Sequence, residues 1–291
     1  MSQRREYWKG ITVTFVGVLV LSTDALLIRA SGISGPQAAF WRASFAFFAL
    51  VLLFRATTRG KWKEILVAGG TRMLFSGFLW GTSGLTFAIG IYHSGAAIAL
   101  VMLALAPFFA ATHSYLFYRT KSHPLTLIAA VGAIAGIAYM YGSQLDCIGP
   151  RDLFYTIWAP LIYGVNLSFL RRHTEINRIS VSMVGGLVGA VISVALAKGN
   201  VEVTAAQLLP LAILGALMIP FGQTAIGIGT KYIPAGESAL ISSLETIIGI
   251  FYVWVFLCEV PSKETLIGAA VVFGSVIANT LVQAYRAAAR A

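Results

Sequence analysis

The chain has 291 residues, 58% of them hydrophobic and only 11% charged, with a formal net charge of +10 and a mean hydropathy of +0.81. A soluble domain is roughly 45–50% apolar and about 25% charged, and a soluble fold of this length could not hide so much apolar surface. Apolar runs of about 20 residues, separated by short charge clusters, exclude the ~10-residue alternation of a membrane β-barrel and predict an all-α polytopic membrane protein.

In chain order the expected spans run about 9–30, 36–55, 72–91, 95–118, 124–142, 152–171, 179–198, 205–230, 234–257 and 264–285. Breakers and charges separate them: Ser31-Gly32 to Pro36, Arg59-Gly60-Lys61, His93-Ser94-Gly95, Lys121 to Pro124, Gly149-Pro150-Arg151, Arg171 to Arg178, Gly199-Asn200, Pro234 and Pro261. Pro107, Pro160, Pro210 and Pro220 interrupt spans four, six and eight, where a missing N–H predicts kinks. Arg4, Arg5 and Lys9 precede the first span with no small-residue cleavage site, so no cleavable signal peptide is expected.

Cytoplasmic loops collect Lys and Arg. With the N-terminus inside, only Arg29, Arg151, Lys198 and Lys263 fall in outer segments, and Arg42 lies within a span. The remaining cations all fall in inner segments, so both termini are expected in the cytoplasm. The basic charge then needs no nucleic acid.

An internal repeat is visible. Thr126-Leu127-Ile128 matches Thr265-Leu266-Ile267, and Gly90 matches Gly229 at the same offset. At a slightly longer offset, 142 residues, Asp24 and Arg29 pair with Asn166 and Arg171. The repeats would cover 9–142 and 152–285. Five spans each is odd, so the halves would be inverted, the plan of alternating-access carriers with a substrate site near the midplane.

Polar residues inside the spans are the candidate site. Asp24 and Arg42 each lie nine residues from Ile33, the centre of the first hairpin. They should therefore sit at similar depth, either as a structural ion pair or facing a watery pathway. An unpaired Arg in hydrocarbon costs at least ~2.5 kcal/mol, less if it snorkels. Glu245 stands alone in ISSLETIIG, with no cation within one turn of its helix. It reads as a hydrogen-bonded acid in the packing, or as a substrate or proton carrier. Asn166 is either helix glue or a ligand. Trp80, in GFLWGTSG, lies away from the interfacial belt where Trp is usual. Gly77, Gly81 and Gly84 around it read as helix contact points. Tyr163, Gln223 and Ser242-Ser243 could serve a ligand or bridge helices. Cys147 and Cys258 fall on the same side, where a disulfide is open.

No GxxxxGK[ST] loop, no metal-ligand spacing and no GxSxG elbow occurs, so no ATP-driven engine, metal centre or cofactor is expected. An intramembrane enzyme and a channel remain as rival classes.

The second half carries Pro234-Ala235, Ser238-Ala239-Leu240, Leu244-Glu245, Cys258-Glu259, Gly268 and Gly274; the first carries Ala99-Leu100 and Pro107. This pattern resembles the drug/metabolite transporter superfamily in its ten-span form of two EamA-type repeats, and within it the YddG-type exporters of aromatic amino acids and some organic cations. It departs where Glu245 is followed by Thr246, Pro107 is preceded by Ala106, and Thr120 stands where Glu259 would repeat. The resemblance implies a monomeric secondary exporter in the bacterial inner membrane, with a cavity bounded by spans one to four and six to nine. Asp24, Arg42, Trp80, Tyr163, Asn166, Gln223, Ser242 and Glu245 would line it and bind an aromatic amino acid or a hydrophobic cation.

Overall fold

A computed structural model of the chain describes residues 2–119, 124–142, 149–173, 175–229, 232 and 235–288. Among them every regular element is helical. The first apolar run is broken into α1 (Ser2–Leu21) and α2 (Asp24–Ser31). The break has a local cause. Ser22 and Thr23 donate their hydroxyls back to the carbonyls of Val18 (2.8 Å) and Val20 (2.6 Å), and such back-bonding bends a helix. The chain restarts with Asp24 in the first turn of α2, where the helix dipole favours a carboxylate. Gly32, at φ 64°, ends α2 in the left-handed conformation. α3 (Gly35–Thr57) follows a capping box of Ser34 and Gln37, with Pro36 in the first turn.

α4 (Trp62–Ser94) begins ten residues ahead of the expected start near 72. Lys and Arg are good helix formers, so a basic cluster marks a change of polarity without ending a helix. The turn between the two parts is made instead at Gly70 (φ 48°, ψ −145°), a conformation only glycine adopts readily. Arg55 and Lys63 both approach the Trp62 ring, 5.1 and 5.3 Å from its centroid. Aromatic and basic groups in that combination suit a membrane–water interface.

α5 (Ala96–Leu103) and α6 (Ala106–Tyr118) form one rod with a break ahead of Pro107. α7 (Pro124–Gly142) and α8 (Pro150–Arg172) follow, and Pro160 sits inside α8 without dividing it. α9 (Arg178–Leu196) starts at Asn177, whose side chain accepts from the Ser180 N–H at 3.1 Å. α10 (Ala205–Ile213), a π-helical turn (Leu214–Met218) and α11 (Ile219–Gly229) make another rod, with Pro210 and Pro220 bracketing the π turn. α12 (Ala235–Leu257) and α13 (Lys263–Ala288) close the described chain. Seven of the described helical runs are long and apolar enough to cross a membrane: Trp8–Ser31, Gly35–Thr57, Trp62–Ser94, Ala96–Tyr118, Pro150–Leu170, Arg178–Leu196 and Ala205–Ile226.

Packing interleaves the two halves. α3 lies against α9 and the π turn, α4 against α8 and α9, α1 against α11 and α12, α6 against α8, and α7 against α13. Small residues let these backbones meet, as expected where apolar lipid supplies no hydrophobic drive between helices. A Cβ on Gly81 would fall 2.4 Å from the Gly185 carbonyl oxygen, and one on Gly136 2.8 Å from that of Gly268. Gly77 meets Val184 in the same way, so Gly77 and Gly81 are helix contact points.

Ion pairs tie both ends of the bundle. At one end Arg29 Nε donates to Glu259 Oε1 (3.0 Å), and His93 Nδ1 lies 3.0 Å from Asp152 Oδ1. At the other, Arg72 bonds Glu175 at 3.2 Å. A backbone hydrogen bond, then His173, then Arg72 hold the Glu175 carboxyl below the usual carboxylate range. Glu259 follows Cys258, which adopts φ 55° directly after α12. A non-glycine residue there costs roughly 1–2 kcal/mol, partly offset by the larger entropy a glycine loses. Cys258→Gly is therefore expected to raise stability by up to about 1 kcal/mol, read as a higher midpoint of thermal unfolding in detergent; a lower midpoint would mean that the thiol makes a stabilising contact. Cys147, the other half of the disulfide left open above, lies outside the described residues.

Candidate functional site

Asp24 of α2, Arg42 of α3, Trp80 of α4, Tyr163 of α8, Gln223 of α11 and Glu245 of α12 line one cavity. About 120 Å³ of it is free for water-sized molecules, less than the roughly 300–1,000 Å³ usual for small-molecule sites. Both halves of the chain contribute to the walls.

The charged side is built around Arg42. Its Nε donates to Asp24 Oδ1 at 3.0 Å and its Nη2 to Asp24 Oδ2, a two-pronged pair. Its Nη1 reaches the Gly84 carbonyl at 3.4 Å. A Cβ on Gly84 would stand 3.0 Å from Nη1, so the absent side chain makes room for the guanidinium. Beneath it, Gly215 of the π turn lies against the Arg42 carbonyl, which a Cβ would approach to 2.5 Å. The side chains of Arg42 and Asp24 are only 15% and 10% exposed, so the pair is largely withdrawn from solvent.

Among the described residues Arg42 is the one cation lining the cavity, against two acids, Asp24 and Glu245. With Asp24 matched to Arg42, Glu245 is in excess. Among the described residues no hydrogen bond or ion pair holds it. The cavity therefore carries one surplus acid. The cavity also has an aromatic wall, where the rings of Trp80 and Tyr163 are 5.6 Å apart between centroids and tilted by 58°. Gln223 adds a polar group whose buried Oε1 has no partner among the described residues.

Two expected residues are placed elsewhere. Asn166 is fully buried, and its Oδ1 accepts from Ser76 Oγ at 2.6 Å, joining α8 to α4 away from the cavity lining. Ser242 is half-buried on α12 and does not line the cavity. His113 makes an interhelical contact, its Nδ1 3.0 Å from Ser168 Oγ.

Other wall residues were not singled out by the sequence. Ser83 donates to the Ala159 carbonyl at 2.9 Å, and Gly185, Gly186 and Gly189 form the α9 side. The helix break that delivers Asp24 was also missed. Its signal was present: Ser22-Thr23-Asp24 is a run of three polar residues inside an apolar span.

Helices of membrane-crossing length around a buried, charged cavity define a multi-pass helical membrane protein. Residues 151–281 match the profile of the EamA-like transporter family. That match points to a membrane transporter of small solutes, and not to an enzyme. No curated protein matches the chain. A solved structure described only as "Crystal structure of protein" superposes with a TM-score of 0.66 at 18% identity, covering 94% of this chain and 96% of that one. At that identity the likeness speaks for the fold alone.

Proposed function

We propose that the chain is a ten-span secondary carrier of the drug/metabolite transporter superfamily. It exports small amphipathic metabolites, aromatic amino acids foremost, across the bacterial inner membrane by alternating access. The carrying observation is the cavity: acid, base and aromatic walls converge in it from both halves of the chain. A zwitterion with a ring needs those three elements.

The inverted-repeat reading, with repeats 9–142 and 152–285 and both termini inside, draws support from the packing. Count the helical rods one to ten, with α1–α2, α5–α6 and α10–α11 each as one. Advancing every rod by five carries the contact of α1 with α11 onto that of α8 with α4. It likewise carries α3 with the π turn onto α9 with α4, and α1 with α12 onto α8 with α6. The correspondence is incomplete, and its largest departure is at α3 and α4. α3 packs on α4, Gly35 against Ile89, whereas no comparable packing joins α9 to α10 or α11 among the described residues. Unequal closure of equivalent helix pairs is what a carrier caught facing one side exhibits. The closed pair lies at the end bearing Arg29–Glu259, the outer end on the charge rule, so the cavity faces the cytoplasm.

A second reading, export of hydrophobic organic cations, is favoured by the charge balance. Arg42 is already matched by Asp24, so a substrate carboxylate must compete for it, while a cation needs only Glu245.

Counterflow in proteoliposomes tests both. Vesicles are preloaded with unlabelled phenylalanine, tryptophan, threonine, glutamate or tetraphenylphosphonium, and entry of labelled phenylalanine or of the labelled cation is followed. Accumulation of phenylalanine driven by the aromatic amino acids, and reduced at least about tenfold in Glu245→Ala (about 1.4 kcal/mol per tenfold), is expected. Accumulation of the cation alone would select the second reading. No accumulation from correctly reconstituted protein would reject the carrier.

A further inference from the structure

Gly185 has no polar group and was not expected to matter, yet it bears on the one part of the cavity that would receive a ring. α4 and α9 are in backbone contact here, Gly81 on one side and Gly185 and Gly189 on the other. Trp80, next to Gly81, folds its indole over α9 at Gly185. A Cβ on Gly185 would lie 2.5 Å from Trp80 Cδ1 and 3.1 Å from its Cγ and Cβ. The first distance is shorter than real Cβ contacts show, so a methyl there forces a shift, and the indole is the group that can turn. Tyr163 already occupies the flank of the ring, at 5.6 Å between centroids. Trp80, Tyr163 and Gly185 all border the cavity, so the indole, turned away from α9, encroaches on its aromatic side.

We infer that Gly185 is a positioning residue that sets the size of substrate the cavity admits, by letting the Trp80 indole lie flat against α9. This rests on the carrier reading above. The absent side chain leaves the aromatic side deeper than a residue with a Cβ would allow. A residue of any size at this position shortens it and leaves the charged side, Asp24, Arg42 and Glu245, unaltered. The effect is therefore selective, falling on large substrates and sparing small ones.

The test compares tryptophan and valine as counterflow substrates in four proteins: native, Gly185→Ala, Trp80→Ala and the double variant. In Gly185→Ala the KM for tryptophan is expected to rise about tenfold, with maximal rate and the KM for valine changed less than about twofold (about 0.4 kcal/mol per twofold). In the Trp80→Ala background the same Gly185→Ala change should have almost no effect on either KM, because it acts through the indole. Equal loss for both substrates, or the same loss with Trp80 removed, overturns the inference. If Gly185→Ala does not fold, recovery of folded protein in the double variant supports the indole contact, and failure of the double variant as well overturns it. The thermal midpoints of the four proteins form a cycle that reads the Gly185–Trp80 contact without any substrate. Absence of counterflow in native protein rejects the carrier reading, and the size filter with it, while the midpoint cycle still decides the contact.

Discussion

Asp24→Asn is expected to be among the most damaging single substitutions in the chain. It leaves the Arg42 guanidinium in a largely dry cavity without its two-pronged partner. Breaking a buried pair by removing one member costs about 3–5 kcal/mol, because an uncompensated charge stays behind. The residual exposure of the pair and the surplus acid Glu245 nearby place the cost toward the lower end of that range. A loss of that size is a large share of the stability of a typical fold, roughly 5–15 kcal/mol. Removing both charges, as in Asp24→Leu with Arg42→Met, should recover most of it, since apolar replacements of a buried pair are often neutral. Thermal unfolding in detergent, followed by size-exclusion chromatography, reads both proteins. An unchanged midpoint for Asp24→Asn would mean that Arg42 finds its compensation elsewhere.

Gly164→Leu is expected to be comparably severe for a purely steric reason. A Cβ at 164 would stand 2.4 Å from the Ala106 carbonyl oxygen and 2.8 Å from the Ala110 nitrogen, so α8 rests on the backbone of α6. Backbone cannot turn aside as a side-chain tip does. Overpacking costs typically 1–3 kcal/mol and occasionally more; with no flexible neighbour to yield, about 3 kcal/mol or more is expected. Gly274→Leu is the control. Nothing lies within 4 Å of a Cβ there, and a substitution in open surroundings stays within about 0.5 kcal/mol. Folded yield and thermal midpoint of the two variants separate the cases. Equal behaviour would show that α6 and α8 can move apart at little cost.

Much of the site was legible because its signals are local. An isolated Glu245 in an apolar run needs no neighbour to be conspicuous. The level of Asp24 with Arg42 followed from counting residues across one hairpin, since rise per residue fixes depth. Asn166 shows where such counting stops. Its correspondence to Asp24 across the repeat gives its depth, but not the side of the helix it occupies relative to distant neighbours. In the structure it faces Ser76, and the cavity is lined at that level by Tyr163. Gly185 was illegible for a different reason. A glycine in a span signals close approach, and only the partner that approaches, here the Trp80 indole, tells whether the contact is packing or part of a wall.

From the sequence alone follow the helical class, most of the helix ends, and which ionisable residues lie at membrane depth. These are consequences of hydropathy, caps and backbone chemistry, which act over a few residues. Packing between distant segments settles that Asp24 closes on Arg42, that Glu245 is left as the surplus acid, and that Gly84 and Gly185 make room for a guanidinium and an indole. Those outcomes depend on how each helix is rotated and which helix it meets. Close packing over the whole bundle sets both, because every side chain must fit against residues far away in the chain.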